Sequence, residues 1–157
     1  MATFADLERF LDQLPDEVMD DTAEIVAETA VDYFKDSFSD TRKGFDGNPW
    51  KEGNPKPRGS LMVDSTNLMN SITPKEITRE RVVISAGNDK VPYAKVHNEG
   101  FTGEVTINPF VRKNGVEVRQ HTRNMNMPQR QFMGKANELA AKIRERLNTF
   151  LKPDKQR

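Results

Sequence analysis

From Asp16 to Phe38 the chain contains neither glycine nor proline, and its residue types recur at a step of four. Val18, Thr22, Val26, Ala30, Phe34 and Phe38 form one row; Asp16, Asp20, Glu24, Glu28, Asp32 and Asp36 form another. A helix turns once in about 3.6 residues, so a step of four keeps each row together while winding it slowly around the axis. Pro15 suits the first turn of such a helix, and carboxylates at Asp16 and Glu17 favour the positive end of its dipole. The spacing predicts a long helix over 16–38. Met19, Ala23, Ala27 and Val31 add a further apolar row, wider than one packed layer requires, so a second partner is expected there. The acidic row places like charges at i,i+4, which costs about 0.2–0.5 kcal/mol per pair in isolation. It reads either as a solvated face or as a surface that meets basic residues or lines a channel. Asp20, Glu24, Glu28 and Asp32 are its candidate interface residues.

The acidity is part of a larger asymmetry. Residues 1–38 hold 11 acids and two bases, a net of −9. With 24 acids and 24 bases in the whole chain, the remainder holds 13 acids and 22 bases, a net of +9. Such a split can act head-to-tail between copies, or the two parts can face each other within one copy. The core is lean: 35% of residues are hydrophobic and mean hydropathy is −0.77. Lean cores are often completed by partner subunits or accompanied by solvated loops.

At 157 residues a single domain, 1–157, is expected. The absence of cysteine excludes disulfides and thiolate metal sites and fits a reducing compartment. No run approaches the ~20 apolar residues that span a bilayer, so no membrane partner is expected. Met1–Asp6 does not read as a signal peptide. The cytoplasm is therefore the expected place of synthesis.

A short helix is expected over 4–13. Residues 39–60 read as a flexible, Gly/Pro-rich basic loop with Arg42, Lys43, Lys51, Lys56 and Arg58, almost without apolar residues apart from Phe45 and Trp50. Arg42, Lys43 and Trp50 are candidate interface residues. Residues 61–72 suit a short helix or a strand, 81–86 and 105–107 suit strands, and 93–97 are mixed. Asn114-Gly115 between 110–113 and 116–119 signals a β-hairpin arm with a type I′ turn. Its Arg112, Lys113 and Arg119 are further interface candidates. Residues 134–151 read as a helix with Ala136, Leu139, Ala140, Ile143, Leu147 and Phe150 on one face. Residues 152–157 form a frayed tail. The expected class is α+β: an antiparallel β-sheet packed by a long N-terminal helix and a C-terminal helix.

The residues offer little chemistry. His97, Glu99 and His121 would be the whole ligand set of a metal site or metal-dependent nuclease, and His97-Asn98-Glu99 lacks the spacing that places two ligands on one helix face. There is no phosphate-binding glycine loop and no nucleophile elbow. No enzyme activity, metal or cofactor is expected.

Four stretches carry a resemblance. They are Gly47-Asn48-Pro49-Trp50; Leu61 with Asp64 to Ile72; Tyr93-Ala94-Lys95-Val96-His97-Asn98-Glu99-Gly100; and Pro128-Gln129-Arg130-Gln131-Phe132-Met133-Gly134. In this order they resemble the Mu-type phage virion-morphogenesis or tail-completion family, related to neck, tail-terminator and head–tail joining proteins. Thr66 stands where that family typically has glycine, and 101–127 look like an elaborated arm. The resemblance implies a virion structural protein that is assembled in the host bacterium's cytoplasm. It would complete the tail or join it to the head as a homo-oligomeric ring subunit, six by analogy, touching tail-tube or connector proteins. Nucleic acid is expected only as the passing genome. Tyr93, Ala94, His97, Gly100, Pro128, Arg130, Phe132 and Gly134 read as residues that hold the fold. The alternative is a small nucleic-acid-binding module using the basic loop and hairpin, with Arg123 beside them.

Overall fold

The computed structural model describes residues 2–39, 43–53 and 61–152. Arg42, Lys56, Arg58 and most of the expected tail lie outside them.

Helix α1, Phe4–Leu11, starts at a reciprocal cap: Asp6 N donates to Thr3 Oγ1 (3.2 Å) and Thr3 N donates to Asp6 Oδ2 (2.9 Å). This satisfies two backbone donors that a helix start otherwise leaves open. A 3-10 turn, Asp16–Val18, follows Pro15 and leads into α2, Met19–Asp36. The four-step apolar row points inward: Thr22, Ala30, Phe34 and Phe38 are buried, Val18 and Val26 half-buried. All six acids of the other row are exposed. Burial on α2 is wide because α5, Asn137–Phe150, packs on it, as do β1, Thr73–Ile77, and β2, Val82–Ser85. Helix α1 packs on α5.

The α+β class holds, but among the described residues the strands form three separate two-stranded antiparallel sheets rather than one. Among the described residues, β1–β2 is the sheet that packs closely on α2. Pro74 has no N–H to give a neighbouring strand, and the β1–β2 register shifts between Pro74 and Glu76. That composition is why β1 is not readable as a strand beforehand. Strands β3, Phe101–Ile107, and β6, His121–Met127, form a ribbon paired without a slip from Phe101↔Met127 to Ile107↔His121. The short strands β4, Phe110–Val111, and β5, Glu117–Val118, complete the arm at its tip.

The tip turn differs from the type I′ expectation. Gly115 N donates to Arg112 O (2.8 Å), Arg112 N donates to Val116 O (2.9 Å), and Gly115 alone has positive φ, +82°. A type I′ turn needs positive φ at Asn114 as well; this is a three-residue loop closing on a glycine bulge. The segment 61–72 resolves as helix α3, Asn67–Asn70, and the mixed segment as helix α4, Ala94–Glu99. Thr66, entering α3, has φ 60°. A left-handed β-branched residue is strained by about 1–2 kcal/mol, and glycine's extra chain entropy offsets about half of that. Thr66→Gly is therefore expected to raise unfolding free energy by about 0.5–1 kcal/mol, read from urea denaturation.

Candidate functional site

The four family-like stretches, distant in sequence, converge on one junction. Its centre is Phe132, 1% exposed, whose ring lies 5.2 Å from that of Phe38. Phe38 in turn meets Trp50 edge-on at 5.4 Å. Trp50 Nε1 donates to Gln131 O at 3.0 Å. Trp50, expected at an interface, is thus corrected to a core residue, 7% exposed. An indole is apolar everywhere except its N–H, and here that N–H has a backbone acceptor. With Phe45 also buried, two aromatic anchors hold the described part of the basic loop, 43–53, against the body.

Helix α4 clamps the strip 130–133. Phe132 N and Met133 N both donate to Asn98 Oδ1 (2.9 and 3.0 Å), and Asn98 Nδ2 donates to Met133 O (3.3 Å). Arg130 N donates to His97 O (2.9 Å), and Arg130 Nε donates to Lys51 O (2.8 Å). Arg130 is 7% exposed, and burial pulls its guanidinium pKa below the ordinary value. Tyr93 stands edge-on to His97 at 5.6 Å between centroids. Ala94 is buried, and Gly87 N donates to Ser71 Oγ (3.0 Å), tying the 61–72 stretch to the same place. Pro128 follows the end of β6.

Two glycines here are forced. Gly100 has φ 77°, and a Cβ on it would stand 3.0 Å from Gln129 N. A Cβ on Gly134 would stand 2.8 Å from Phe45 Cε1 and closer still to Cζ, in a ring already fixed by its neighbours. Gly134→Ala is expected to cost about 1–3 kcal/mol through overpacking, seen as a lowered urea midpoint; an unchanged midpoint would mean the Phe45 ring can yield. Asn98 carries more of this junction than any residue singled out beforehand except Phe132. Its only sequence signal was its place inside the Tyr93–Gly100 stretch.

Among the described residues the interface candidates fall in three places: α2, the arm and the anchored loop. On α2, Asp20 accepts from Arg79 Nε and Nη2 (2.7 and 2.6 Å), and Glu28 pairs with Arg146 of α5. These bases belong to the same copy. Glu24 and Asp32 are exposed and make no ion pair among the described residues. The Arg79 hydrogen bond holds the Asp20 carboxyl below its usual pKa. A depressed carboxylate contributes stability above its unfolded pKa and loses it as pH falls through the folded value. Arg79→Ala is expected to return the Asp20 titration to the ordinary aspartate range, followed by carboxyl NMR. On the arm, Arg112, Lys113 and Arg119 are exposed around the tip; Lys43, also exposed, bridges to Pro49 in the anchored loop.

His97, Glu99 and His121 do not come together. His97 and Glu99 are in α4, before β3, whereas His121 pairs with Ile107 at the far end of the ribbon. Six residues at about 3.4 Å each put some 20 Å between the ribbon's ends. Among the described residues no group of three or more His, Asp or Glu side chains is placed to hold a metal, and no helix is long and apolar enough to cross a membrane.

No curated protein and no solved structure matches this chain significantly. A family model does: the one described as the phage virion morphogenesis family matches residues 2–152. That span takes in the capped start of α1, the junction and all of α5. The chain belongs to the phage virion morphogenesis family.

Proposed function

We propose that, within virion morphogenesis, this chain completes the tail or joins it to the head, and does so as one subunit of a ring. The observation that carries this reading is the arm. A body locked at one junction holds out a two-stranded ribbon whose apolar side chains lie off the core. A two-stranded ribbon is marginal alone in water, so an arm of this kind works by being covered. The uneven charge of the two parts of the chain favours partners that are copies of it or equally polar virion proteins. The work is association, not catalysis.

The test is to disable this chain in the phage that encodes it and image the particles. Unfinished tails, or separate heads and tails, restored to joined particles by adding the purified protein, are expected. Normal infectious particles without the chain would overturn the proposal. The mass of the purified protein, measured across concentration and salt and again on tail particles, tests the ring. Nanomolar DNA affinity with a steep salt dependence would instead favour a nucleic-acid role for Arg112, Lys113 and Arg119 at the arm tip.

A further inference from the structure

The register of the arm sorts its side chains onto two faces. Side chains alternate along a strand, and directly paired residues share a face. Phe101, Gly103, Val105 and Ile107 of β3 therefore lie with their partners Met127, Met125, Arg123 and His121 of β6. The opposite face carries Thr102, Glu104 and Thr106 against Asn126, Asn124 and Thr122. The first face is apolar over most of its length, and the Phe101 ring folds along it over Gly103. None of its apolar side chains packs against the core of the body among the described residues. On this face Phe101 is 37% exposed and Val105, Ile107, Met125 and Met127 are half-buried, and at the tip Phe110 is 49% and Val111 64% exposed. A row of apolar side chains left partly open to solvent and off the core is what an interaction site presents.

We infer that a second copy of this chain covers the apolar face of the arm, presenting to it the acidic outer side of α2. Charge selects this occupant. The arm, 101–127, holds four bases (Arg112, Lys113, Arg119, Arg123) and two acids (Glu104, Glu117), and Arg123 lies on the apolar face itself. On α2, Glu24 and Asp32 are exposed and without an ion pair among the described residues, whereas Asp20 and Glu28 are engaged within the copy. Helical spacing puts Val31 on the side of Glu24 and Glu28, at i+7 and i+3. Val31 is half-buried and is not packed on the core, so that side offers an apolar contact between its acids. Arm and α2 are different surfaces, so the contact is head-to-tail, the type that closes into a ring when the rotation allows. The inference rests on the ring reading above and names the surfaces that would make it.

The chain has no cysteine, which allows a direct test by single-cysteine variants of the full chain. Val105→Cys on the arm and Glu24→Cys on α2 both lie off the core. Mixed and treated with a short bis-maleimide, they are expected to give cross-linked dimers, and the double variant a ladder. The yield is expected to fall several-fold near 1 M salt, where the screening length is about 3 Å. A Val105→Ser, Ile107→Ser variant is expected to associate on the order of tenfold more weakly. A third variant, Met133→Cys, marks the open apolar groove of about 410 Å³ floored by Phe34 and Ile143. Cross-linking of Val105→Cys only to itself, or only to Met133→Cys, would overturn the inference. So would its absence in preparations where the wild-type chain assembles. A wild-type chain that stays monomeric in solution and on tail particles would instead overturn the ring reading.

Discussion

Phe132→Ala is expected to lower unfolding free energy by about 3–5 kcal/mol, the usual cost of emptying a buried phenylalanine site. The side chain is 1% exposed and its ring lies tilted against that of Phe38, which is itself held by Trp50. These neighbours cannot collapse into the void easily. Phe38 sits just after α2, and Trp50 is tied to Gln131 through its N–H. Domains have about 5–15 kcal/mol in total, so the loss would take a large share of the stability of a lean core. Urea denaturation measures it. Phe132→Leu, which keeps most of the volume, is expected to lose less than about 1.5 kcal/mol. Equal losses for the two variants would mean that ring contacts, not volume, decide the site. Phe38→Ala combined with Phe132→Ala should lose less than the two single changes added together, because the rings share one contact.

The second large effect is expected at Asn98. Asn98→Ala removes the acceptor used by both Phe132 N and Met133 N. An unmatched buried donor costs about 1–3 kcal/mol; both bonds are only part-buried, so about 1–2 kcal/mol each and a loss of about 2–4 kcal/mol for the pair is expected. Asn98→Asp keeps an acceptor for both amides but replaces Nδ2, the donor 3.3 Å from Met133 O, with a carboxylate oxygen; that repulsion is offset in part by stronger, charge-assisted amide bonds, and the change should cost about 1–2 kcal/mol. Hydrogen exchange supplies a local reading. Amide protection at Phe132 and Met133 should fall in the alanine variant and persist in the aspartate variant. Loss of protection in both would show that the asparagine acts through its donor instead.

These two residues show why the junction was only partly readable beforehand. Phe132, Arg130 and Gly134 stood out because they belong to a recognisable stretch, but their partners did not. The backbone acceptor of Trp50 is 81 residues away in sequence, at Gln131. Nothing near Trp50 marks it as a core residue: its neighbours are Pro49 and Lys51 in a polar loop. The need for glycine at residue 134 likewise comes from the ring of Phe45, distant in sequence, together with the Gln131 amide.

The sequence by itself determined helices α1, α2 and α5, the position of the hairpin tip and the imbalance of charge, but not helices α3 and α4. Helical order is local: each hydrogen bond spans four residues, so the row from Val18 to Phe38 and the face from Leu139 to Leu147 declare themselves within a few turns. Glycine at the bend of an arm is a local requirement too. Only the tertiary structure decided that Thr73–Ile77 and His121–Met127 are strands, because neither alternates in the apolar way that identifies one. Their partners are supplied across the chain, at Val82–Ser85 and Phe101–Ile107. It also decided that the sheets stay separate, and that the ribbon gathers Phe101, Val105, Ile107, Met125 and Met127 on one face. Strand pairing joins distant residues, and a one-residue change of register would exchange the two faces of a strand. The apolar face of the arm is therefore a product of register, which no local pattern in this sequence displays.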